Sequence, residues 1–348
     1  MIRTFATLTL AALLAGCATT TATTTATTQG AASTQTATLT NPLLASGPDP
    51  WIVHHGKTFY FLGTKGDRIA IRQTDDLAKL ADAPEHTIWT PPAKGPNAEG
   101  IWAPELHRLD GKWYVYYTAA QDGHNDDAHR GVFVLENAGA DPLKGEWIDR
   151  GRINTAMTGL DGTVFDHGGK RWFVYSAYDG PDSVLAIAPM VNPWTLGPGE
   201  TVIARPDLPF ERQGGRQILE GPEFLAGPKG DLFLAYSASA CWSDDYALGM
   251  LHAKPGSDPL NPASWTKSPR PVLAKAPQNN VYATGHNGFF TTDGGRRTWI
   301  VYHANDGANR KCTGDRSPRV QPMEWSAGGL PVFPVPSRAG QPVPAPQP

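Results

Sequence analysis

The chain of 348 residues is rich in glycine and proline and poor in charge. It contains 37 Gly, 32 Pro and 11 Trp, and 18% of its residues are charged. Gly and Pro together make up about a fifth of the chain, which favours frequent turns between short strands over long helices. The hydrophobic content of 40% argues against a disordered chain. The formal net charge is −3, so the chain has no excess of basic residues of the kind that nucleic-acid binders carry. No nucleic-acid partner is therefore predicted.

Residues 1–16 are predicted to be an export signal. Arg3 is followed by an apolar run from Phe5 to Leu14, which is too short to span a bilayer as a helix. The Leu-Ala-Gly-Cys motif that ends at Cys17 resembles a bacterial lipobox, which implies that Cys17 is lipidated and becomes the first residue of the mature protein. The alternative is an ordinary signal peptide with an incidental cysteine.

Residues 17–40 are predicted to form a flexible tether behind the lipid. The segment Ala18–Thr40 contains 12 Thr and 6 Ala among 23 residues, with no charge and no apolar period. Such a composition is typical of linkers that cannot pack a core. By resemblance to bacterial lipoproteins, Ala18 rather than Asp after the cysteine favours the outer membrane. We therefore expect an exported lipoprotein anchored there through Cys17, facing either the periplasm or the exterior.

Five repeats occupy residues 41–340. Each contains a turn glycine followed by an aromatic-rich strand with a small residue near its end, and the glycines lie 55 to 65 residues apart. The turn glycines are Gly56, Gly111, Gly169, Gly230 and Gly295. This period fits one four-stranded blade with long loops. The sequence therefore predicts an all-β, five-bladed β-propeller with a Pro-rich tail at 341–348, and a large β-sandwich is the alternative.

Ionisable residues recur where the innermost strand of each blade is expected to begin. Because each turn glycine should join the first strand of a blade to the second, the first strand, which lines the central channel, lies just upstream. The residues at these positions are Asp49-Pro50-Trp51, Ala103-Pro104-Glu105, Asp161-Gly162-Thr163, Glu220-Gly221-Pro222 and His286-Asn287-Gly288. Asp-Pro and Asp-Gly are common turn dipeptides, but recurrence at one structural position favours a shared functional site.

Carboxyl groups that converge on a channel mouth suit glycoside hydrolysis. This reaction needs one protonated carboxylic acid and one ionised carboxylate, and a third carboxylate raises the pKa of the acid. Asp49, Asp161 and Glu220 supply that set. Aromatic faces beside such a site can pack against sugar rings, and a place in the core is the alternative for each. The tryptophans next to the proposed channel residues are Trp51, Trp102 and Trp242.

The chain resembles glycoside hydrolase family 43, a five-bladed propeller group that includes α-L-arabinofuranosidases, β-xylosidases and arabinanases. Matching stretches occur in the expected order over residues 41–335, among them Asp49-Pro50-Trp51, Ile101–Leu106, Leu160–Phe165, Leu219–Phe224, Gly285–Phe290 and Tyr302–Ala304. The resemblance implies that Asp49 is the general base, Asp161 the modulator of the acid's pKa and Glu220 the general acid. It also implies an inverting reaction, in which one water attacks in a single displacement.

The same resemblance suggests two further site residues. Arg319-Val320-Gln321 matches the family's late Arg-x-Gln pattern, which implies that Arg319 orients the base or a sugar hydroxyl; a surface arginine is the alternative. His286 resembles the family's channel histidine, which implies a structural calcium ion or an ordered water near the axis; a buried structural histidine is the alternative. No cofactor is expected to be required for the chemistry itself.

Two cysteines remain if Cys17 carries lipid. Exported compartments are oxidising, so Cys241 and Cys312 are a disulfide candidate, with two separate buried thiols as the alternative. Such a bond would tie two loops at the rim of the site.

The sequence as a whole predicts an exo-acting, inverting α-L-arabinofuranosidase that acts on arabinose-bearing plant polysaccharide or its oligosaccharides. A β-xylosidase and an endo-arabinanase are the alternatives within the family. Retaining β-fructosidases are a rival, but Gly47–Trp51 lacks their Trp-x-Asn-Asp-Pro-Asn-Gly opening. A carbohydrate-binding propeller without catalysis would be expected to lose one of the three carboxylates, and a protein-interaction scaffold would not need an acid cluster.

Overall fold

The folded chain is a ring of five β-sheets around a central channel, as the repeats predict. The computed structural model describes residue 12 and residues 37–348. The predicted signal peptide, Cys17 and most of the predicted tether therefore lie outside the described residues. Within the described part of the chain, no helix has the length and apolar character needed to cross a membrane.

Blades 1 and 2 are four-stranded antiparallel sheets, and a short strand β1 (Thr38–Thr40) precedes them. Blade 1 consists of β2 (Trp51–His55), β3 (Thr58–Leu62), β4 (Ile69–Thr74) and β5 (Glu85–Trp89). Blade 2 consists of β6 (Glu99–Leu109), β7 (Lys112–Ala120), β8 (Arg130–Asn137) and β9 (Ile148–Arg152).

Blades 3 and 4 follow the same order, and in blade 3 the third strand also pairs with a short extra strand. Blade 3 consists of β10 (Gly159–His167), β11 (Lys170–Asp179), β12 (Asp182–Asn192), β13 (Thr195–Leu196) and β14 (Thr201–Ala204). Blade 4 consists of β15 (Leu219–Ala226), β16 (Leu232–Ala238), β17 (Ala247–Ala253) and β18 (Thr266–Lys267).

Blade 5 has three strands of its own and is completed by the N-terminal segment. Its strands are β19 (Val281–Thr292), β20 (Arg297–Asp306) and β21 (Ser317–Pro322). Beside β21, the Asn41 side chain exchanges two hydrogen bonds of 2.9 Å with the backbone of Val320, and the Leu43 N–H donates to the Pro318 C=O at 2.8 Å. These contacts close the ring, because they join the start of the folded chain to its last blade.

The C-terminal residues also belong to the folded domain. After a small hairpin of β22 (Glu324–Trp325) and β23 (Pro331–Val332), the strand β24 (Pro342–Pro344) pairs with β1. The domain therefore extends beyond the predicted bounds of 41–340 at both ends. Short 3-10 helices connect some strands of the described chain: Leu77–Asp82, Asp127–His129, Pro209–Glu211, Gln213–Gly215, Pro262–Ser264, Pro277–Asn279 and Asp293–Gly295.

The five turn glycines lie between the first and second strands of their blades, as predicted. Their φ angles run from +64° at Gly56 to +90° at Gly295. Glycine adopts positive φ angles readily because it has no Cβ atom. The sequence period therefore reports the position of the inner hairpin in each blade.

The hydrophobic core lies between neighbouring blades, in five buried clusters. Trp113 of β7 packs in the cluster between blades 1 and 2, whereas the next residue, Tyr114, packs in the cluster between blades 2 and 3. Successive side chains of a strand point to opposite faces of the sheet. The repeat strands carry consecutive aromatic residues because both faces of each sheet are covered by another blade.

Candidate active site

Each blade has a residue in the left-handed region within its innermost strand or, in blade 1, two residues before it. The φ angles are +53° at Asp49, +43° at Ala103, +52° at Asp161, +51° at Gly221 and +49° at His286. In blades 2 to 5 the pairing register of the inner strand shifts around this residue, which is the mark of a β-bulge. Bulges redirect side chains and are enriched beside active sites.

A side chain of the preceding blade holds the backbone N–H of the left-handed residue in four blades. The acceptor lies near or just after the end of the repeat strand; in three blades it is a threonine or serine, and in blade 5 it is a histidine. The four acceptor–donor pairs are Thr64 Oγ1 with Ala103 (2.7 Å), Thr118 Oγ1 with Asp161 (2.9 Å), Ser237 Oγ with His286 (2.7 Å) and His303 Nδ1 with Asp49 (3.1 Å).

Glu220 stands one position before the left-handed residue of its blade, which is Gly221. Its carboxyl group therefore leaves a different backbone position from those of Asp49 and Asp161. The Tyr246 hydroxyl donates to Glu220 Oε1 at 2.7 Å, and the Gly221 N–H donates to Asp161 Oδ2 at 3.2 Å. Tyr246 is fully buried and was not predicted from the sequence, because its partner lies 26 residues away on another strand.

The three predicted carboxyl groups meet in one cavity of about 430 Å³. His286 lines it as well, together with two of the predicted tryptophans, Trp102 and Trp242. The remaining lining residues are Thr64, Asp127, Arg130, Leu160, Tyr178, Ser183, Arg216, Ile218, Cys241, Cys312 and Arg316. Residues that are far apart in the chain are thus brought to one end of the channel by the repeated bulge.

Asp49 is buried among groups that stabilise its negative charge. Its Oδ1 accepts a hydrogen bond from Arg316 Nη1 at 2.8 Å and lies 3.4 Å from His286 Nδ1, and its Oδ2 accepts from the Thr64 hydroxyl at 2.6 Å. Burial alone would raise the pKa of Asp49, but the charges of Arg316 and His286 outweigh it and hold this pKa well below its usual range. Asp49 is therefore ionised.

Asp161 and Glu220 both have a raised pKa. For Asp161, burial is the main cause, the charges of Glu220 and Asp49 add to it, and the pKa rises to about 8. For Glu220, burial raises the pKa although the hydrogen bond from Tyr246 lowers it. Because two buried, interacting carboxyl groups do not readily ionise together, this pair keeps a proton near neutral pH.

His286 lies between two of the carboxyl groups. Its Nδ1 is 3.4 Å from Asp49 Oδ1 and 4.0 Å from Asp161 Oδ2. Burial alone would lower the pKa of His286, but the charges of Asp49, Asp161 and Glu220 outweigh it and raise this pKa. The raised pKa favours the protonated ring beside these carboxyl groups. The predicted role of His286 as a metal ligand stays a prediction.

Two predicted substrate contacts, Trp51 and Arg319, do not line the cavity. Trp51 is buried in the core between blades 1 and 2, and its indole N–H donates to the Leu106 C=O at 2.8 Å. Arg319 is fully buried, where it donates to the Ser337 C=O at 2.8 Å and pairs with Asp306. The polar groups of both side chains therefore bind other parts of the protein and are not available to a ligand in the cavity.

Arg316 occupies the place that the resemblance gave to Arg319, since it pairs with Asp49. The two arginines are three residues apart at β21, and residues an odd number apart point to opposite faces of a strand. The sequence pattern thus located the segment, but the arginine of this segment that contacts Asp49 is Arg316 rather than Arg319. The signal that separates them is the contact with Asp49, which lies 267 residues away in the chain.

A second buried carboxyl pair lies outside the cavity. Glu223 is 3% exposed and hydrogen-bonded to Glu105, whose Oε2 is 2.8 Å from His107 Nε2. Burial, with the charge of Glu105, raises the pKa of Glu223 well above its usual range. Glu223 is therefore a neutral acid that is engaged by Glu105, which leaves Glu220 as the glutamate of the Glu-Gly-Pro-Glu stretch that faces the cavity.

The wall of the cavity includes a disulfide and two tryptophans. Cys241 and Cys312 are bonded, with their Cα atoms 5.2 Å apart, and they join the β16–β17 loop to the β20–β21 loop. Trp242 is 46% exposed and donates its indole N–H to the Gly214 C=O at 2.8 Å. Trp102 is half-buried under the guanidinium group of Arg130, which lies 3.7 Å from the centroid of the Trp102 ring.

The family model of the glycosyl hydrolases family 43 matches residues 39–331, which include every strand of the five blades. The chain belongs to this family. The matched segment also contains the bulges, the three carboxyl groups and Arg316.

Relatives of this family 43 chain include two curated proteins from Streptomyces. One from Streptomyces avermitilis, named "Extracellular exo-alpha-(1->5)-L-arabinofuranosidase", is 38% identical over 325 residues, which cover 89% of this chain and 66% of the relative. A protein of the same name from Streptomyces chartreusis is 39% identical over 273 residues, which cover 76% of this chain and 81% of the relative. The chain thus spans just under two thirds of the length of the first relative.

A solved structure has the same fold as this chain. The crystal structure of an α-L-arabinofuranosidase from Lactobacillus brevis matches this chain with a TM-score of 0.81 at 32% identity. The match covers 87% of this chain and 98% of that structure. The two folds therefore correspond over nearly the whole propeller.

Proposed function

We propose that this family 43 chain is an exo-acting, inverting α-L-arabinofuranosidase that releases L-arabinofuranose from plant arabinan, arabinoxylan or their oligosaccharides. The observation that carries the proposal is one cavity that holds an ionised Asp49 together with the proton-bearing pair of Asp161 and Glu220. The names of the Streptomyces relatives and of the Lactobacillus brevis structure support the choice of sugar.

Asp49 is the general base of the proposed reaction. It takes a proton from water while the water oxygen bonds to the anomeric carbon. Arg316 and Thr64 hold the two oxygens of this carboxylate in fixed positions, at 2.8 and 2.6 Å. This keeps Asp49 ionised and oriented before substrate enters.

Glu220 is the general acid, and it gives its proton to the glycosidic oxygen as the bond from that oxygen to the anomeric carbon breaks. Asp161 does not contact the leaving oxygen in this scheme. When the proton that the pair shares is on Glu220, Asp161 is ionised, and its negative charge disfavours loss of that proton. The hydrogen bond from the Gly221 N–H fixes Asp161 beside the backbone that carries Glu220. Tyr246 sets the orientation of the acid by its hydrogen bond to Oε1.

The size of the cavity supports action on chain ends. Its volume of about 430 Å³ lies at the lower end of the range for small-molecule sites, which is roughly 300–1,000 Å³. The indole of Trp242, which is the most exposed aromatic group of the wall, supplies a face for the sugar next to the cleaved bond. A β-xylosidase and an endo-arabinanase remain the competing activities.

A substrate panel tests the proposal. We expect the highest kcat/KM on an aryl α-L-arabinofuranoside, a lower value on an aryl β-D-xyloside, and arabinose as the first product from debranched arabinan. Proton NMR of the first product anomer should show inverted configuration. A preference for the xyloside, or early release of long oligosaccharides from arabinan, would replace the proposed activity with one of the two competitors.

We further propose that the protein is exported as a lipoprotein, with residues 1–16 removed, Cys17 lipidated and the residues between Cys17 and β1 serving as a tether to the outer membrane. The predicted tether bound of residue 40 is too long, because Thr38–Thr40 form β1. The Leu-Ala-Gly-Cys motif and the Thr- and Ala-rich composition support the lipid anchor and the tether. The word "extracellular" in the names of the Streptomyces relatives supports export alone. Incorporation of labelled palmitate into the wild type, and its loss in Cys17→Ser, is the expected result. Equal labelling of both proteins would contradict it.

We also propose that a calcium ion or an ordered water lies in the channel beside Asn287, the residue after His286. Within the described part of the chain, the Asn287 amide is 1% exposed and both of its polar atoms lack a hydrogen-bond partner. Amide oxygens suit calcium, which takes oxygen ligands, and an ordered water would satisfy both atoms. Elemental analysis of the purified protein distinguishes the ion from the water.

A further inference from the structure

We propose that His124, Asp126 and His129 form a binding site for a divalent transition-metal ion, with Zn²⁺ as the probe. They lie at the β7–β8 loop of blade 2, and one ligand atom of each lies within 4.8 Å of those of the other two. Among the residues that the structure describes, this is the only such group of three histidine, cysteine or acidic side chains. The site is separate from the three carboxyl groups of the cavity.

The three side chains are already close to the spacing that an ion requires. His129 Nδ1 is 2.8 Å from Asp126 Oδ1, and the rings of His124 and His129 are stacked with their centroids 4.3 Å apart. Zinc ligands lie about 2.0–2.2 Å from the metal, so two ligands of a tetrahedral ion are about 3.4 Å apart. His124 and Asp126 are exposed and His129 is half-buried, so small side-chain rotations can close the difference.

The backbone of the loop places the three residues on one side. Asp126 is the N-cap of the short helix Asp127–His129, and its Oδ1 accepts hydrogen bonds from the N–H groups of Ala128 and His129. Oδ1 also contacts His129 Nδ1, so Oδ2 is the oxygen that the carboxylate can offer to a metal, and the His129 ring must turn its nitrogen from Oδ1 to the ion. The Asp126 N–H in turn donates to the His124 C=O at 2.8 Å. The site is therefore held by local hydrogen bonds before a metal enters.

The donor set selects the kind of ion. Two imidazoles and one carboxylate resemble the three protein ligands of open zinc sites, in which water takes the fourth position. Calcium and magnesium prefer oxygen ligands throughout, so a borderline metal such as zinc is favoured over them. None of the three ligands lines the cavity, so the ion is not part of the hydrolytic step.

Two neighbours of the proposed ligands, Asn125 and Asp127, connect this site to the cavity wall through side-chain contacts. Asp127 pairs with Arg216, and the Asn125 side chain accepts a hydrogen bond from Arg130 at 2.6 Å. Asp127, Arg130 and Arg216 all line the cavity. An ion on this loop would therefore stabilise one wall of the cavity in its present position.

Titration calorimetry with zinc chloride tests the site on the full chain, purified without a polyhistidine tag and freed of metal by a chelator. We expect one ion per wild-type chain, and an affinity at least tenfold lower for His124→Ala and for His129→Ala. His86→Ala removes an exposed histidine on β5 of blade 1 and is the matched control, which should bind as the wild type does. Asp126→Asn keeps an N-cap residue but loses the anionic ligand, so it should also bind more weakly.

Thermal unfolding supplies a second readout. Excess zinc should raise the unfolding midpoint of the wild type and of His86→Ala, because a ligand that binds the folded state stabilises it, and should not raise that of His124→Ala. Equal midpoints in chelator show that the variants are folded. If a histidine variant does not fold, Asp126→Asn decides the outcome. Absence of wild-type binding, or equal binding by the wild type and the ligand variants, would overturn the proposal.

Discussion

The groups around each carboxyl determine why the pKa values of Asp49 and Asp161 shift in opposite directions. Both residues have a left-handed backbone at or near the start of an innermost strand. Asp49 contacts Arg316 at 2.8 Å, whereas the nearest basic group to Asp161 within the described chain is His286 at 4.0 Å. The pKa of Asp49 is therefore lowered and that of Asp161 raised, because Asp49 has a guanidinium partner whereas burial and nearby carboxylates dominate at Asp161.

Loss of either catalytic carboxyl group should abolish turnover. We expect Asp49→Ala and Glu220→Ala to lower kcat on an aryl arabinofuranoside by about 10²–10⁴-fold, the usual contribution of a general base or acid. The unfolding midpoint should stay close to that of the wild type. Glu146→Ala, at an exposed glutamate in blade 2, is the control. Near-normal turnover by either catalytic variant would contradict the mechanism.

The pH profile of kcat/KM should report the coupled pair. Since the pKa of Asp161 is about 8, the acid pair is protonated below that value, and activity should fall as the pH rises through it. In Asp161→Asn, loss of a negative charge lets the proton leave Glu220 at lower pH, so the basic limb should move to lower pH. A basic limb that is unmoved, or moved upward, would show that Asp161 does not tune the acid.

The two arginines at β21 should give different phenotypes. Arg316→Ala removes the nearest cation from Asp49, so the pKa of the base should rise and the acidic limb of kcat/KM should move to higher pH. Arg319→Ala leaves buried partners unpaired, so it should lower the unfolding midpoint and leave the limb in place. An acidic limb that moves in Arg319→Ala and not in Arg316→Ala would restore the original assignment to Arg319.

At the scale of the element, the repeated bulge is held from outside its own blade. Ser237 of blade 4 accepts from the His286 N–H of blade 5, and Thr118 of blade 2 accepts from the Asp161 N–H of blade 3. The small residue near the end of the repeat strand is visible in the sequence. The N–H group that donates to it cannot be identified from the sequence, because this hydrogen bond joins two different blades.

A matched pair of serines tests this role of the repeat. In Ser237→Ala the buried His286 N–H loses its acceptor, which should cost about 1–3 kcal/mol of unfolding free energy and lower kcat/KM. Ser176→Ala changes the equivalent, fully buried residue of blade 3, whose hydroxyl donates to the Leu219 C=O instead. A carbonyl tolerates a missing partner better than an N–H, so this variant should cost less. Equal costs would argue against a special role for the N–H acceptor.

At the scale of the whole molecule, the ring is closed by segments from both ends of the folded chain. The side chains of Leu39 in β1 and Val343 in β24 are buried in the cluster between blades 5 and 1. Blade 5 contributes His286, His303 and Arg316 to the surroundings of Asp49. Closure of the ring therefore also supports the geometry of the site.

Removal of β24 should weaken the whole propeller. Truncation after Gln341 exposes β1 and removes Val343 from the core, so the unfolding free energy should fall by about 1–3 kcal/mol. Removal of the exposed Gln347 and Pro348 alone should leave it unchanged. Denaturant unfolding compares the two truncations, and equal stability would show that the β1–β24 pair does not contribute to closure.

Local patterns in the chain are sufficient for the architecture and for the three carboxyl groups. The glycine turns and aromatic strands predict five blades, because each repeat depends on its own hairpin and on burial of both sheet faces. Asp49, Asp161 and Glu220 are found from their positions seven to ten residues upstream of the turn glycines, since this distance is similar in each blade. These features follow from contacts within a few residues of each other.

The contacts between blades could not be predicted from local patterns in the sequence. The choice of Arg316 over Arg319, the hydrogen bond of Tyr246 to Glu220 and the burial of Trp51 each depend on a group from another strand or blade. The opposite pKa shifts of Asp49 and Asp161 also depend on such groups. Distance and burial set electrostatic and hydrogen-bond energies, and both quantities exist only once the ring has closed.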